Sequence, residues 1–235
     1  MSQTISFFLP TRTGSQRVLN KNTRPFAGFN GGIFELKLKQ LILANHIDEV
    51  IISTNDKHCI NIANQLVGHL PKFKIIERPN ELCLDSTALT DLILYAGEIC
   101  SSDHILWGHT TTPLVSGVDY DKGIEKYFHV LSLGQNDSLV SVYPLKNFLI
   151  NSVDGCFLGS TQQNGSQWPR TQDLNIVFEV NHAMFIAPRA TFLNEKNRIG
   201  KMPFYYEMSK LKSFDIDWEE DFLIAEAIYE KFGHE

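Results

Sequence analysis

Positive charge is scarce in this chain. Its 235 residues include 21 Lys and Arg against 27 Asp and Glu, which gives a formal net charge of −6. Proteins that bind nucleic acid normally present a basic surface, so this balance argues against a nucleic-acid partner. It leaves room for a local basic pocket that holds a single nucleotide.

Cysteine and long apolar runs are also scarce. The four cysteines form no Cys-x-x-Cys pair and lack zinc-like spacing; they are Cys59, Cys83, Cys100 and Cys156. A bridge between Cys83 and Cys100 is possible in principle, but we expect reduced, mostly buried thiols and a cytoplasmic protein. The apolar runs are far shorter than the roughly 20 residues that span a bilayer, so no membrane segment is expected. The N-terminus shows no secretory signal pattern.

Short apolar runs alternate with segments of helical period in the first half of the chain. We predict strands at 5–10, 49–53, 73–77, 104–107 and 138–143. Helices are predicted at 34–44, after a cap at Asp56, from Ser86 or Thr87 onward, and at 120–131. This order implies an α/β fold with a mostly parallel, doubly wound sheet, whose ligand lies beyond the carboxyl ends of the strands. A strand near 214–216 and a helix at 218–232 complete a single domain, residues 1–235.

The segment 144–188 has a different character. It alternates apolar and polar residues and is broken by Asp154-Gly155 and by Gln162-Gln163-Asn164-Gly165. Such a pattern is typical of antiparallel strands joined by turns. From the residues alone, we predict an antiparallel excursion from the main sheet.

The loop after the first strand combines glycine, hydroxyl and basic residues. Gly14 lets the backbone approach a ligand closely, and Arg12, Arg17 and Lys21 supply positive charge for a polyphosphate. The loop is neither a Walker motif nor a three-glycine dinucleotide fingerprint. The pattern favours a loop that binds a polyphosphate; the alternative is a solvated basic loop that binds no ligand.

A pair of carboxylates lies near the C-terminus, at Asp215 and Asp217. Residues two apart on an extended segment face the same way, so the pair can hold one cation, and Mg²⁺ prefers such oxygen ligands. The alternative is structural, because Asp217 with Glu220 also fits a helix capping box. We expect Glu219 and Asp221 to be solvated or capping.

Three further segments contain polar side chains at predicted strand ends or in loops. Arg78 follows the strand at 73–77 and precedes Ser86 and Thr87; an ordinary surface arginine and cap is the alternative. The segment 106–114 contributes His109, Thr111 and Thr112, of which His109 could equally be a satisfied loop histidine. The segment 167–183 contains polar residues, namely Arg170, Gln172 and Asn181.

Taken in order, these five segments resemble sugar nucleotidyltransferases, specifically the CMP-sialic acid synthetase (acylneuraminate cytidylyltransferase) family. The basic loop is similar to the family's L-x-x-R-x-x-S-K-R-x-x-x-K-N, and Arg78-Pro79 to its R-P-x-x-L-x-x-D. The segments 106–114, 167–172 and 178–183 resemble its L-x-Q-P-T-S-P-L-R, P-R-Q and F-x-P-N-G-A, and Asp215 with Asp217 match its D-x-D. The resemblance covers roughly residues 5 to 232.

The resemblance implies a nucleotide-diphospho-sugar transferase-like fold and a role for each site residue. The implied nucleotide-binding residues are Leu9, Pro10, Arg12, Gly14, Ser15, Arg17, Lys21, Asn22, Arg78, Ser86 and Thr87. The implied sugar-binding residues are His109, Thr111, Thr112, Arg170, Gln172 and Asn181. The implied catalytic residues are Arg12, Lys21, Asp215 and Asp217, of which the two aspartates bind Mg²⁺. The segment 144–188 becomes a dimerisation arm that reaches over the partner's site in a homodimer.

The chain departs from the family pattern at several of these positions. Gln16 replaces the usual Lys, and the sequence does not decide whether the neighbouring Arg17 supplies the missing charge or phosphate affinity is lower. His109 replaces Gln, Val115 replaces Arg, and Glu179, Val180 and His182 replace Arg, Pro and Gly. The identity of the acceptor sugar is therefore open.

The function that follows is transfer of CMP from CTP to an acidic keto sugar, sialic acid or a related nonulosonic acid, with release of pyrophosphate. One alternative is a synthetase like that for CMP-3-deoxy-manno-octulosonate. Another is a metal-dependent glycosyltransferase, which also uses a D-x-D motif. A third is a non-catalytic descendant of the fold. Neither the number of metal ions nor the role of the arm follows from the sequence.

Overall fold

The computed structural model describes residues 3–158, 168 and 170–233. Its strands are β1 (Ile5–Pro10), β2 (Glu49–Thr54), β3 (Phe73–Glu77), β4 (His104–Trp107), β5 (Ser138–Leu145), β6 (Leu149–Ile150), β7 (Phe157–Leu158), β8 (Val177–Pro188) and β9 (Pro203–Glu207). Its α-helices are α1 (Gly32–Ile42), α2 (Lys57–Val67), α3 (Leu89–Ile99), α4 (Gly117–Ser132) and α5 (Glu219–Phe232). None of these helices has both the length and the apolar character needed to cross a membrane.

The central sheet has seven strands in the order β3-β2-β1-β4-β8-β5-β9. Every neighbouring pair is parallel except those of β8, which runs antiparallel to both β4 and β5. The predicted α/β, mostly parallel sheet is therefore confirmed. The loops after β1, β3 and β4 emerge at one edge, where ligands bind in such sheets.

The side chains of β1 point alternately to the two faces of the sheet, and each face carries its own layer of the core. Phe7 and Leu9 belong to a cluster with Phe34 and Leu38 of α1, whereas Phe8 packs on the opposite face with Trp107 and other residues. Successive side chains of a strand point to opposite faces, so an apolar run this short is buried on both sides. The sheet thereby becomes a rigid base for the loops at its edge.

A third cluster joins the C-terminal helix to the loop after β1. Phe222 of α5 packs against Phe26 in that loop, with ring centroids 5.4 Å apart. Ile216 is buried in the same cluster. The start of α5 is thus held beside the basic loop, although about 200 residues separate them in sequence.

The predicted strand near 214–216 is wrong. Ile216 donates one backbone hydrogen bond to the Thr111 carbonyl, 2.9 Å, but the segment forms no ladder. The last strand of the sheet is β9, which pairs with β5. Ile216 is buried and Phe214 is half-buried, and both pack in the cluster with α5 rather than in the sheet.

Helix boundaries follow the caps. Asp56 caps α2 as predicted, because its carboxylate accepts from the His58 N–H at 2.9 Å. α4 begins before the predicted residue 120, because Ser116 and Asp119 form a reciprocal capping box. α1 spans Gly32–Ile42 rather than 34–44.

The segment 144–188 contains the predicted antiparallel strands. β6 and β7 form a hairpin, in which Gly155 has φ 71°. The long β8 then returns into the central sheet beside β4 and β5. The segment's role as a dimerisation arm stays a prediction.

Candidate nucleotide and sugar site

The basic loop leaves β1 at the ligand-binding edge of the sheet. Gly14 has φ 83°, a conformation that side-chain-bearing residues rarely adopt. The Thr11 N–H donates to the Ser53 carbonyl at 3.0 Å, and the Thr13 N–H donates to the Asn55 side chain at 3.1 Å. These bonds fix the first part of the loop to the end of the neighbouring strand β2.

Arg12 connects the loop to the segment after β3. Its guanidinium pairs with Asp85 at 2.6 Å and donates to the Cys83 carbonyl at 3.0 Å. Asn22 donates a weak hydrogen bond to the Arg12 carbonyl at 3.4 Å and accepts one from Thr110 at 2.8 Å. The amide of Asn22 therefore holds the loop against the segment after β4.

Lys21 connects the loop to the acidic segment. Its ammonium donates to the Ile216 carbonyl at 2.8 Å, between the two aspartates. Burial lowers the pKa of Lys21, and the negative charges of Asp215 and Asp217 oppose that shift. Three of the four predicted catalytic side chains, Lys21, Asp215 and Asp217, thus lie together.

The two aspartates differ in environment. Burial is the main cause that raises the pKa of Asp215, and its Oδ1 is a buried atom without a hydrogen-bond partner among the described residues. Asp217 is half exposed and pairs with Arg17 at 3.0 Å. Arg17 also lies over the Trp218 ring, 5.2 Å from its centroid.

The capping role proposed as an alternative for Asp217 belongs to Asp221 instead. The Asp221 carboxylate accepts from the backbone N–H groups of Asp217 and Trp218, at 3.0 and 2.7 Å. Glu219 pairs with Arg24 at 2.6 Å. The side chain of Asp217 is therefore free of capping and available to the cavity.

Arg78 is buried at the end of β3 and held by one residue. Its guanidinium donates to the Ser53 hydroxyl at 3.0 Å and to the Ser53 carbonyl at 2.5 Å. Burial lowers its pKa, and neighbouring Cys83 and Tyr95 oppose the shift. The predicted position of Arg78 at the edge of the sheet is confirmed by this geometry; its base-reading role stays a prediction.

Ser86 and Thr87 do not start a helix. α3 begins at Leu89, so the expected free N–H groups of a helix N-terminus are displaced by two residues. The Thr87 hydroxyl donates to the Glu81 carbonyl at 2.7 Å, and its N–H donates to the Leu84 carbonyl at 3.2 Å. Thr87 is thus occupied by its own turn.

His109 is half-buried and uncharged. Its Nε2 accepts from the Trp107 indole N–H at 2.7 Å, which places the ring proton on Nδ1. Burial, followed by the charges of Arg198 and His182, holds the pKa of His109 well below its ordinary value. Its ring centroid lies 5.7 Å from that of His182, which adopts a left-handed φ of 58°.

The threonines that follow β4 serve different purposes. The hydroxyl of Thr111 lies by Asp215 and opposes the rise in its pKa. Thr112 is fully buried and donates to the His109 carbonyl at 3.2 Å, which shapes the turn.

The arm residues lie away from this group. Arg170 is exposed and pairs with Asp173 at 2.7 Å, and Gln172 is exposed, with its carbonyl accepting from Lys146. Asn181 is buried and bonds to Ser141 and Ser213. Gln167 and Pro169 of the same motif lie outside the described residues.

A cavity of about 700 Å³ collects most of the predicted residues. Those that line it are Pro10, Arg12, Ser15, Arg17, Lys21, Asn22, Arg78, His109, Thr111, Asp215 and Asp217. Leu9, Gly14, Ser86, Thr87, Thr112, Arg170, Gln172 and Asn181 do not line it. Gly14 instead lines a second cavity, of about 650 Å³, which shares the basic loop.

The lining residues that sequence reasoning missed as site residues include His182 and Arg198. The Arg198 guanidinium lies 3.7 Å from the centroid of the Phe185 ring and 5.3 Å from that of Trp107. Burial lowers the pKa of Arg198 to about 10. A single arginine in a loop gives no sequence signal, because its aromatic partners are distant in the chain.

The donor set fits a divalent cation bound jointly with a phosphate. No group of three or more His, Cys, Asp or Glu side chains is arranged around a metal position in the described part of the chain. Mg²⁺ is usually held by one or two carboxylates together with substrate phosphates and water. Asp215, with its unpartnered Oδ1, and Asp217 would provide those carboxylates.

The sequence is similar to one characterised enzyme over almost its whole length. N-acylneuraminate cytidylyltransferase of Escherichia coli O18:K1:H7 is 23% identical over 239 residues, which cover 98% of this chain and 53% of the relative. The chain thus spans about half the length of that relative. No protein-family model matches the chain.

Solved structures share the fold. A CMP:2-keto-3-deoxy-manno-octonic acid synthetase complexed with CTP aligns with a TM-score of 0.67 at 12% identity, over 97% of this chain and 99% of that one. A 4-diphosphocytidyl-2C-methyl-D-erythritol synthase from Anaerococcus prevotii aligns at 0.60 with 14% identity, over 96% and 97%. A cytidylyltransferase from Leptospira borgpetersenii aligns at 0.60 with 13% identity, over 98% and 88%. These comparisons support the resemblance noted from the motifs and confirm the fold.

Proposed function

From its likeness to acylneuraminate cytidylyltransferases, we propose that this chain transfers CMP from CTP to an acidic keto sugar and releases pyrophosphate. The observation that carries the proposal is a single cavity that is lined by both the basic loop and the aspartate pair. The name of the E. coli relative supports sialic acid or a related nonulosonic acid as acceptor.

The basic loop binds the triphosphate in this proposal. Arg12, Ser15, Arg17 and Lys21 all line the cavity. The partners of Arg12 and Lys21 hold their side chains in place before the ligand arrives, which reduces the cost of binding. Positive charge at this position stabilises the leaving pyrophosphate, the main requirement of phosphoryl chemistry.

Arg78 reads the cytosine base. Ser53 fixes its guanidinium by two hydrogen bonds, so the remaining N–H groups keep one direction. A fixed arginine can donate to a base carbonyl or stack on the ring.

The acceptor lies between the aspartate pair and the α-phosphate. Its anomeric hydroxyl loses its proton to solvent and attacks the α-phosphorus, a new P–O bond forms, and the bond to pyrophosphate breaks. Asp215 and Asp217 would hold Mg²⁺, which would neutralise phosphate charge and lower the pKa of the attacking hydroxyl. Holding both reactants in line supplies much of the rate acceleration.

The homodimer and the cytoplasmic location belong to the same proposal. Exposed aromatic rings cluster in the arm, where Trp168 lies 5.3 Å from Phe148 and 5.4 Å from Phe157, centroid to centroid. Exposed apolar surface of this kind favours a protein interface. The four cysteines are free, which suits a reducing compartment.

The test is pyrophosphate release from CTP and Mg²⁺ against a panel of acceptors. The panel contains N-acetylneuraminic, legionaminic, pseudaminic and 3-deoxy-manno-octulosonic acids, and 2C-methyl-D-erythritol 4-phosphate as a non-keto-acid comparator. We expect release with one acidic sugar, and loss of release when UTP replaces CTP.

The alternatives give other results. Release only with 3-deoxy-manno-octulosonic acid would assign the chain to that synthetase class. A glycosyltransferase or a non-catalytic descendant would release no pyrophosphate with any acceptor. Release with the erythritol phosphate alone would contradict the acidic acceptor.

A further inference from the structure

One basic side chain of the cavity has no polar partner among the described residues. Five basic side chains line the cavity, namely Arg12, Arg17, Lys21, Arg78 and Arg198. The first four bond to Asp85, Asp217, Ile216 and Ser53, respectively. Within the described part of the chain, Arg198 has aromatic contacts but neither an ion pair nor a hydrogen bond.

The aromatic contacts fix the direction of the guanidinium. The Arg198 group lies 3.7 Å from the centroid of Phe185 and 5.3 Å from that of Trp107. A guanidinium that stacks on a ring by its face keeps its N–H edge free for a carboxylate. The side chain is therefore positioned for an anion before the anion arrives.

Among the described residues, no carboxylate pairs with Arg198. Its pKa falls to about 10 through burial, with no contribution from a nearby acid. The group still carries a full positive charge at neutral pH. A half-buried cation without a polar partner is costly unless an anion joins it.

Neither His109 nor the positions at which the resembled family carries arginines can replace Arg198 as an anion receptor. His109 is neutral, and its Nε2 is occupied by the Trp107 N–H. Where the family carries arginines, Val115 is buried and apolar, and Glu179 is exposed and negative. Arg198 is thus the basic side chain without a polar partner among the described residues that line the cavity.

Arg198 and Asp215 line the same cavity and are connected through its aromatic residues. Arg198 lies over the Trp107 ring, Trp107 donates to His109, and the ring of His182 lies beside that of His109. An electrostatic interaction between His182 and Asp215 completes the connection. In a keto-acid sugar, the carboxylate is attached to the carbon that bears the attacking hydroxyl. A receptor for that carboxylate must therefore lie close to the aspartate pair.

We propose that Arg198 binds the carboxylate of the acceptor sugar, with its guanidinium edge donating two hydrogen bonds while its face stacks on Phe185. The inference rests on the proposed function and names the residue that selects acidic acceptors. Arg198 supplies a positive charge that the chain lacks at Val115 and Glu179. Arg198 contributes to the binding of the acceptor, whereas the basic loop contributes to the binding of CTP.

The experiment compares acidic acceptors with their neutral analogues. Pyrophosphate release is measured with N-acetylneuraminic acid, 3-deoxy-manno-octulosonic acid and the C1 carboxamide of each, in the wild type and in Arg198→Met. Methionine keeps an apolar chain against Phe185, so the fold is retained. Arg198→Lys tests the bidentate geometry, and Lys201→Met removes the same charge from an exposed position outside the cavity.

We expect Arg198→Met to raise the KM for the acidic acceptor by about ten- to a hundredfold, the effect of losing charge-assisted hydrogen bonds. The KM for CTP stays unchanged, and the wild-type preference for acid over carboxamide disappears. Arg198→Lys falls between the two, and Lys201→Met behaves as the wild type.

Two other outcomes are informative in different ways. In the first, Arg198→Met turns over the acidic sugar and still prefers it to the carboxamide as strongly as the wild type does. This result would overturn the role of Arg198, but the proposed cytidylyltransferase activity would be unaffected. Absence of release by the wild type with every acidic sugar would overturn the proposed function, and this inference with it.

Discussion

Lys21 donates a hydrogen bond of 2.8 Å to the carbonyl of Ile216, the residue between Asp215 and Asp217. The bond joins the basic loop after the first strand to the acidic segment before the last helix. It brings the two charge groups of the site to one place, with the aspartates' negative charge opposing the desolvation of the lysine. A reaction that needs cations and carboxylates on the same phosphate can be carried out there.

The aspartate pair is expected to act in the chemical step. Asp215→Asn and Asp217→Asn should each lower kcat/KM by about 10²–10³-fold, by analogy with the loss of one transition-state contact. Steady-state pyrophosphate release with Mg²⁺ measures the effect. Glu220→Gln, an exposed neighbour, is the matched control. A folded double variant with near-normal turnover would refute the metal assignment.

Arg17 is expected to supply the charge that Gln16 lacks. Arg17→Gln removes the partner of Asp217 and one cation of the cavity. We expect about a tenfold higher KM for CTP, the lower range for a charge-assisted bond, with little change in the KM for the acceptor. The control is Lys57→Gln, which breaks an exposed pair with Glu77. Unchanged CTP kinetics would mean that Arg17 serves only Asp217.

Arg78 is expected to decide between cytosine and uracil. Arg78→Lys keeps a charge but loses the planar fork that Ser53 holds. We expect a higher KM for CTP and a smaller CTP-over-UTP preference, measured as the ratio of kcat/KM values. Ser53→Ala, which removes one of the two anchors, should shift the ratio less. A wild-type enzyme that uses both nucleotides equally would contradict this role.

Glu49 is expected to link stability to pH. It accepts hydrogen bonds from Ser6 and Ser101 and pairs with Lys74, and these partners lower its pKa to about 2 despite burial. Because the folded-state pKa lies below the unfolded value, this stabilisation is full above about pH 4.5 and disappears as the pH falls toward 2.

The variant Glu49→Gln tests that linkage by chemical denaturation at several pH values. At pH 7 we expect its free energy of unfolding to be lower by roughly 1.5–3 kcal/mol, since hydrogen bonds to a charged group are lost. The difference from the wild type should shrink toward pH 2. Glu77→Gln, at an exposed pair, should show no such trend. A pH-independent difference would contradict the shifted pKa.

Local patterns predicted much of the fold. β1, β3 and β4 have the predicted bounds, because each is a short apolar run buried on at least one face and ended by turn residues. The start of α2 was predicted from Asp56, which caps the helix through an ordinary side-chain hydrogen bond. The early start of α4 followed from Ser116 and Asp119, a capping box that the hydrophobic period does not reveal.

The roles of residues whose neighbours come from distant parts of the sequence were harder to predict. The Phe214–Ile216 alternation resembles a strand, yet Ile216 is buried against α5. Asp217 and Asp221 both fit a cap in sequence, and only the packing of the turn selects Asp221. Arg198 depends on Phe185 and Trp107, which no local pattern connects with it.

The measurement that tests the central claim most directly follows the α-phosphorus of CTP. Wild-type protein is incubated with Mg²⁺, α-phosphorus-labelled CTP and the acidic sugar that supports pyrophosphate release, and the products are separated. The account predicts label in a CMP-sugar, equimolar with pyrophosphate, and none with the Asp215→Asn/Asp217→Asn variant. Label that stays in CTP, or appears only in free CMP, would contradict it.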